Sequence, residues 1–357
     1  MSDQQGPLQA LLRHACASKA SDVHLEVGSV PRIRINGDMI RLNMPVLTQK
    51  QAEAYLMPLM DERLSSLLSE TGNADFSYSV KGAACYRVNF LMQHYGLGAV
   101  FRVIPQAIPS FEELGLPGII RNIALCRRGF ILMTGATGSG KSTTLAAMIQ
   151  YVNERRRAHI ITIEDPVEFV YRSELCLIDQ REIGRHATSF ASAIRAALRE
   201  SPDIILVGEL RDYETISLAI KAAEMGVLVM GTLHTNNASK AVDRMIDAFP
   251  PREQDQVRTM LSQSLKAVIA QMLLKTADGK GRVPAVEILI AAAGLPNLIR
   301  EGRASNITSF IQTGRGEGMQ TMDHALIELA RAGKIKPELA LERAYDQEMV
   351  SRHISSQ

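Results

Sequence analysis

Over the first hundred residues the spacing of hydrophobic positions switches between two periods. Leu8, Leu11, Leu12 and Ala15 recur at helical spacing, and Val23-His24-Leu25-Glu26-Val27 then alternates as a half-buried strand does. Ile33 and Ile35 alternate with Arg32 and Arg34 up to Asn36-Gly37, a hairpin-turn dipeptide. Tyr86 to Phe90 and Gly98 to Ile104 read as further strands, so this part is predicted to be a small α+β module. From Ile104-Pro105 to Ile108-Pro109, two prolines in five residues disfavour regular structure. We therefore expect a first domain over residues 1–104, a linker over 105–112 and a second domain over 113–357.

Beyond the break the pattern becomes that of a parallel α/β sheet. Apolar strands are predicted at Phe130–Thr134, Ile160–Ile163, Ile204–Val207 and Val227–Met230. Between the second and third, Phe190, Ala193, Ile194, Ala197 and Leu198 mark an amphipathic helix that Ser201-Pro202 ends. The tail from about Pro250 is expected to be mostly helical, with one helix over Met322–Ala332 closed by Gly333.

At 357 residues the chain exceeds the usual single domain, in keeping with two. Forty Lys and Arg against 38 Asp and Glu leave +2, which argues against a mainly electrostatic nucleic-acid binder and for a protein partner. Cys16, Cys85, Cys126 and Cys176 are scattered, with neither a zinc-type pair nor a disulfide framework, as in a reducing compartment. Met1 to Gly6 is polar and lacks signal-peptide character. No run approaches the roughly 18 apolar residues of a membrane span; Glu287 interrupts the best one, Ala285 to Ala293. A cytoplasmic enzyme that reaches membranes only through a partner is expected.

The chemistry lies at predicted strand ends, where doubly wound sheets place ligands. Residues 135–142 read Gly-Ala-Thr-Gly-Ser-Gly-Lys-Ser, a complete phosphate-binding loop between a strand and a helix. Backbone N–H groups of such a loop close around phosphates, and the helix turns its positive end to them. Gly135, Thr137, Gly138, Ser139, Gly140, Lys141, Ser142 and Thr143 are the expected ATP-binding set, with Ser142 on Mg²⁺. Ile204–Val207 runs into Gly208-Glu209, so Glu209 points at the phosphates, to hold Mg²⁺ through water or orient the attacking water. Glu164 and Asp165, with Glu168 beyond, follow the strand ending at Ile163; adjacent acids elsewhere are commonly a solvated turn. His234, in Gly231-Thr232-Leu233-His234-Thr235, follows another strand end; a lone histidine is more often structural, but here it could sense the γ-phosphate.

In order, these stretches resemble the secretion ATPase superfamily, most closely its pilus-retraction (PilT/PilU) branch. The resemblance rests on Ser21–Leu25, the loop Gly135–Thr144, Thr162–Val170 as the Asp box, Ala197–Asp212 as Walker B, Gly231–Thr235 as the His box and Gly318-Met319-Gln320-Thr321. It implies a PAS-like N-terminal domain, a RecA-like ATPase domain and a homohexameric ring on the cytoplasmic face of a bacterial inner membrane. There it would act on a membrane platform protein, and a paralogous retraction ATPase is a further implied partner. It also implies catalysis by Glu209, assistance from Glu164 and Asp165, coupling through His234, and trans-acting Arg87 and Arg102. Those arginines alone would read as exposed strand-end cations.

Two departures from the family pattern stand out. Tyr95-Gly96-Leu97-Gly98 lacks a further arginine that relatives often carry, and Pro296 replaces an arginine in Gly294–Glu301. Function is therefore read as ATP-driven pilus retraction, the alternatives being a PilU-type accessory ATPase, or a pilus assembly or type II secretion ATPase. Those last relatives usually add a longer N-terminal region and a four-cysteine metal module. A nucleic-acid translocase is disfavoured, because Arg155-Arg156-Arg157 suits the negative end of a helix.

Overall fold

The computed structural model describes residues 6–35, 37–81, 83–104 and 107–354, so Asn36, Pro105 and most of the polar Met1–Gly6 stretch lie outside it. It divides into two compact units, Met1–Ala107 with Pro166–Val170, and Ile108–Asp165 with Tyr171–Gln357. The division at Ala107 falls inside the stretch read as a linker. Pro166–Val170, read as part of the ATPase domain, groups instead with the first unit.

The first unit is α+β and PAS-like. Strands β1 (Asp22–Glu26), β2 (Arg32–Ile35), β3 (Asp38–Arg41), β4 (Asn73–Ser79), β5 (Cys85–Gln93) and β6 (Gly96–Ile104) form an antiparallel sheet in the order β3-β2-β1-β6-β5-β4. Alternation sorts its faces. Val23, Phe76, Tyr86, Val88, Phe90 and Phe101 turn inward and pack with Leu8, Leu12, Leu56 and Leu68 from the helices Pro7–Ala17, Gln49–Leu56 and Glu62–Thr71. Each large side chain buried there stabilises the unit by about 1.5–3 kcal/mol. The Tyr86 hydroxyl enters this core because it donates to the Leu12 carbonyl at 2.8 Å.

The second unit is the RecA-like parallel-sheet domain. Strands β7 (Gly129–Thr134), β8 (His159–Glu164), β9 (Leu177–Glu182), β10 (Ile204–Val207), β11 (Leu228–Leu233), β12 (Leu265–Lys275) and β13 (Arg282–Ile290) run in the order β13-β12-β7-β11-β10-β8-β9. All pair in parallel except β12 with β13. Both faces are covered, so the central strands are continuous apolar runs. Phe130 and Leu132 enter one core, with Ala193, Ile194 and Ala197 of the predicted amphipathic helix, whereas Ile131 and Met133 enter the other.

The helical expectation for the tail holds for Pro251–Ser264 and for Met322–Arg331, which closes at Gly333 with φ +65°. It fails between them, where β12 and β13 form an antiparallel pair. Short continuous apolar runs carry no period that separates a buried strand from a helix. What decides here is pairing: β12 lies beside β7, the strand that feeds the phosphate loop.

A candidate nucleotide site at the strand ends

β7 delivers the chain into Gly135, whose φ of +147° suits glycine, and a Cβ there would lie 2.3 Å from the Gln271 carbonyl. The loop ends at Gly140, the N-cap of the helix Lys141–Asn153. Lys141 Nζ donates to the carbonyls of Gly135 at 2.8 Å and Ala136 at 3.0 Å, arching over the loop. Ser139 Oγ is buried within the loop without a hydrogen-bond partner among the described residues. A buried donor, an ammonium and a helix N-terminus at one loop are what a phosphate group needs.

Gln271 of β12 pins this loop. Its Nε2 donates to the Ser139 carbonyl at 2.8 Å and its Oε1 accepts from Thr144 Oγ1 at 2.8 Å, all but out of solvent. A cavity of about 580 Å³ opens beside the loop, walled by Gly135–Ser139, Asn236, Leu273, Leu339, Arg343 and Tyr345. Gln271 has no place among the residues that the motifs predict, although it is the one polar residue in Ala267–Leu274, itself a signal.

The carboxylates sit as their strands foretell. Glu209 follows β10, and its Oε1 lies 2.5 Å from Arg211 Nε and 3.1 Å from His234 Nε2. Burial alone would raise its pKa, but the Arg211 hydrogen bond and the charges of Arg211, His234 and Lys141 hold it below the usual carboxylate range. Arg211 and Arg244, given no role from sequence, line a smaller cavity of about 150 Å³ with Glu209, His234 and Thr235. Thr235 ties the His-box loop to β7, because its N–H donates to Thr134 Oγ1 at 3.0 Å. Glu164, at the end of β8, is buried and accepts from Thr162 Oγ1 at 2.7 Å and Gln180 Nε2 at 3.3 Å. The charge of the neighbouring Asp165 acts on Arg211. Glu168 belongs to the segment grouped with the first unit.

Arg87 and Arg102 are in the first unit, on the sheet face opposite its core. They are direct cross-strand neighbours on β5 and β6. Asp22 and then Arg34 continue the same row on β1 and β2.

A phosphate loop on β7 with carboxylates at the ends of β8 and β10 defines a P-loop nucleotide-binding protein. Residues 5–328 match the model of the type II/IV secretion system protein family, and the chain belongs to that family. Within it, the chain is 52% identical over 321 residues to the twitching motility protein of Neisseria gonorrhoeae, covering 90% of this chain and 86% of that protein. It is 49% identical over 334 residues to the type IV pilus ATPase PilT of Pseudomonas aeruginosa, covering 94% and 97%. The crystal structure of the pilus retraction motor PilT with bound ADP superposes with a TM-score of 0.90 at 42% identity, over 96% of this chain and 98% of that one.

Proposed function

We propose that this protein is an ATP-hydrolysing motor that powers retraction of type IV pili. The observation that carries the reading is the site itself, a phosphate loop whose Lys141 acts by its charge on the Glu209 that pairs with His234, in a chain about half identical to a twitching motility protein and to a PilT ATPase over nearly its whole length. Lys141 would move from the loop carbonyls to the β- and γ-phosphates. The Ser142 hydroxyl, and Glu209 through water, are the donors suited to Mg²⁺, which when bound neutralises charge on the β- and γ-phosphates. Glu209, kept ionised by Arg211, orients the attacking water, and Glu164 and Asp165 support it from β8. His234 touches Glu209 and sits on a loop tied to β7, so loss of the γ-phosphate there shifts that loop.

The working form is a closed head-to-tail homohexamer in which Arg87 and Arg102 of one copy reach the phosphates held by the next. It works at the cytoplasmic face of the inner membrane on a platform protein, with a paralogous ATPase as a further partner. Among the described residues no helix is long and apolar enough to cross a membrane.

A PilU-type accessory role is the second reading, and Pro296 is what favours it. Identity to the Pseudomonas aeruginosa PilU is 38% over 336 residues, below that to PilT. Pro296 occupies the first turn of the helix Leu295–Arg300, where proline costs no hydrogen bond. The substitution is thus compatible with the fold, and retraction remains the first reading.

The test is to image labelled pili in cells lacking this chain and in cells carrying Lys141→Ala or Glu209→Gln. Pili that extend and do not retract, with turnover of both purified variants lost, are the expected result. Retraction that fails only under load would assign the accessory role. Absent pili would assign assembly, and unchanged pili would refute a pilus role.

A further inference from the structure

The row Arg34–Asp22–Arg102–Arg87 crosses four neighbouring strands in register on one face of the first unit's sheet. Like charges placed directly opposite each other weaken a sheet, and here Arg87 faces Arg102. Asp22 is the row's only acid. Its side chain is 7% exposed, while that of Arg102 is 67% exposed. Asp22 Oδ1 accepts from Arg102 Nε at 2.8 Å, and Oδ2 accepts from Ser21 Oγ at 2.8 Å with Arg34 Nε 3.8 Å away. The contact is through Nε alone. The two terminal nitrogens of the guanidinium donate no hydrogen bond to the described residues, and they are the pair that grips a phosphate bidentately.

We propose that Asp22 is a positioning residue for hydrolysis: it holds Arg102 by Nε and presents its terminal nitrogens to the phosphates bound by an adjacent copy of the chain. This rests on the proposed trans-acting role of Arg102. Asp22 touches no nucleotide itself. It fixes one guanidinium rotamer of a long, exposed side chain, so that little ordering remains to be done when the γ-phosphate arrives.

The experiment uses the full chain and ATP turnover. Asp22→Ala and the milder Asp22→Asn are expected to lower kcat about tenfold to a hundredfold, Asn the less, with KM within about twofold. In an Arg102→Ala background the same changes should cost nothing more. Mixing Asp22→Ala subunits with Lys141→Ala subunits should restore part of the turnover that each lacks alone. Intact phosphate loops in the first would then meet a correctly held Arg102 from the second. No recovery on mixing, or an undiminished loss in the Arg102→Ala background, would mean that Asp22 acts within its own fold and would overturn the proposal. If Asp22→Ala does not fold, the same two tests are read from Asp22→Asn. Unchanged turnover in Arg102→Ala itself would overturn the trans-arginine reading. Loss in Arg102→Ala with normal turnover in both Asp22 variants would overturn the positioning role alone.

Discussion

Replacing Gln271 by alanine tests whether β12 holds the phosphate loop. The change removes two buried hydrogen bonds and leaves the Ser139 carbonyl and the Thr144 hydroxyl facing a void. Thr144 is 1% exposed, and Gln271 itself 4%, so water does not readily replace the amide. An unsatisfied buried group costs about 1–3 kcal/mol, and two of them give about 2–6 kcal/mol. For a unit of this size that is a fall in Tm of about 4–24 °C. The assay is thermal unfolding with and without ADP, together with nucleotide titration. The loop should be looser as well as the unit less stable, so ADP should bind at least tenfold more weakly, and Gln271→Glu should bind worse still through repulsion of the phosphates. A melting point within 1–2 °C of wild type (about 0.5 kcal/mol) with unchanged ADP affinity would refute the pinning role.

Glycine substitutions in the loop should separate strain from collision. Gly135→Ala meets both a φ of +147° and the Gln271 carbonyl, whereas Gly138→Ala meets only a φ of +78° with nothing within 4 Å. Denaturant melts should show Gly135→Ala costing well over the about 1–2 kcal/mol expected of Gly138→Ala. The charges on the outer face of the first sheet should show in acid. Burial raises the Asp22 carboxyl, but hydrogen bonds from Arg102 and Ser21 and the charges of Arg102 and His24 hold it below its ordinary value. A depressed carboxyl contributes stability that is present above its unfolded pKa of about 3.9 and lost as pH falls through the lower folded value. Stability of Asp22→Asn, followed by denaturant melts from pH 6 down to about pH 2, should therefore fall less steeply than that of wild type.

The sites that sequence revealed are those whose chemistry is local. Gly135 to Ser142 run without a break from loop into the first turn of a helix, Glu164 ends a short apolar strand, and Glu209 and His234 each follow one, so strand-end placement was legible before any coordinates. Gln271 was not legible as a loop anchor, because its two partners lie 127 and 132 residues away and β12 reads equally as helix. Arg211 lies within Walker B, yet spacing assigns it no role, since its value comes from a side-chain bond to Glu209 that spacing cannot reveal. The Asp22–Arg102 contact, 80 residues apart, depends on a sheet order that alternation alone does not set.

The placement of β12 also bears on the order in which the chain can mature. The ribosome releases the phosphate loop long before Leu265–Lys275, yet that strand supplies the parallel neighbour of β7 and the amide that closes on Ser139. Parallel pairing across such a separation is slow, and its entropy must be met before any contact rewards it. A growing chain that ends before β12 therefore carries every residue of the phosphate motif without the support that gives the motif its shape. The supported shape of the loop is therefore reached late in synthesis, close to completion of the sheet.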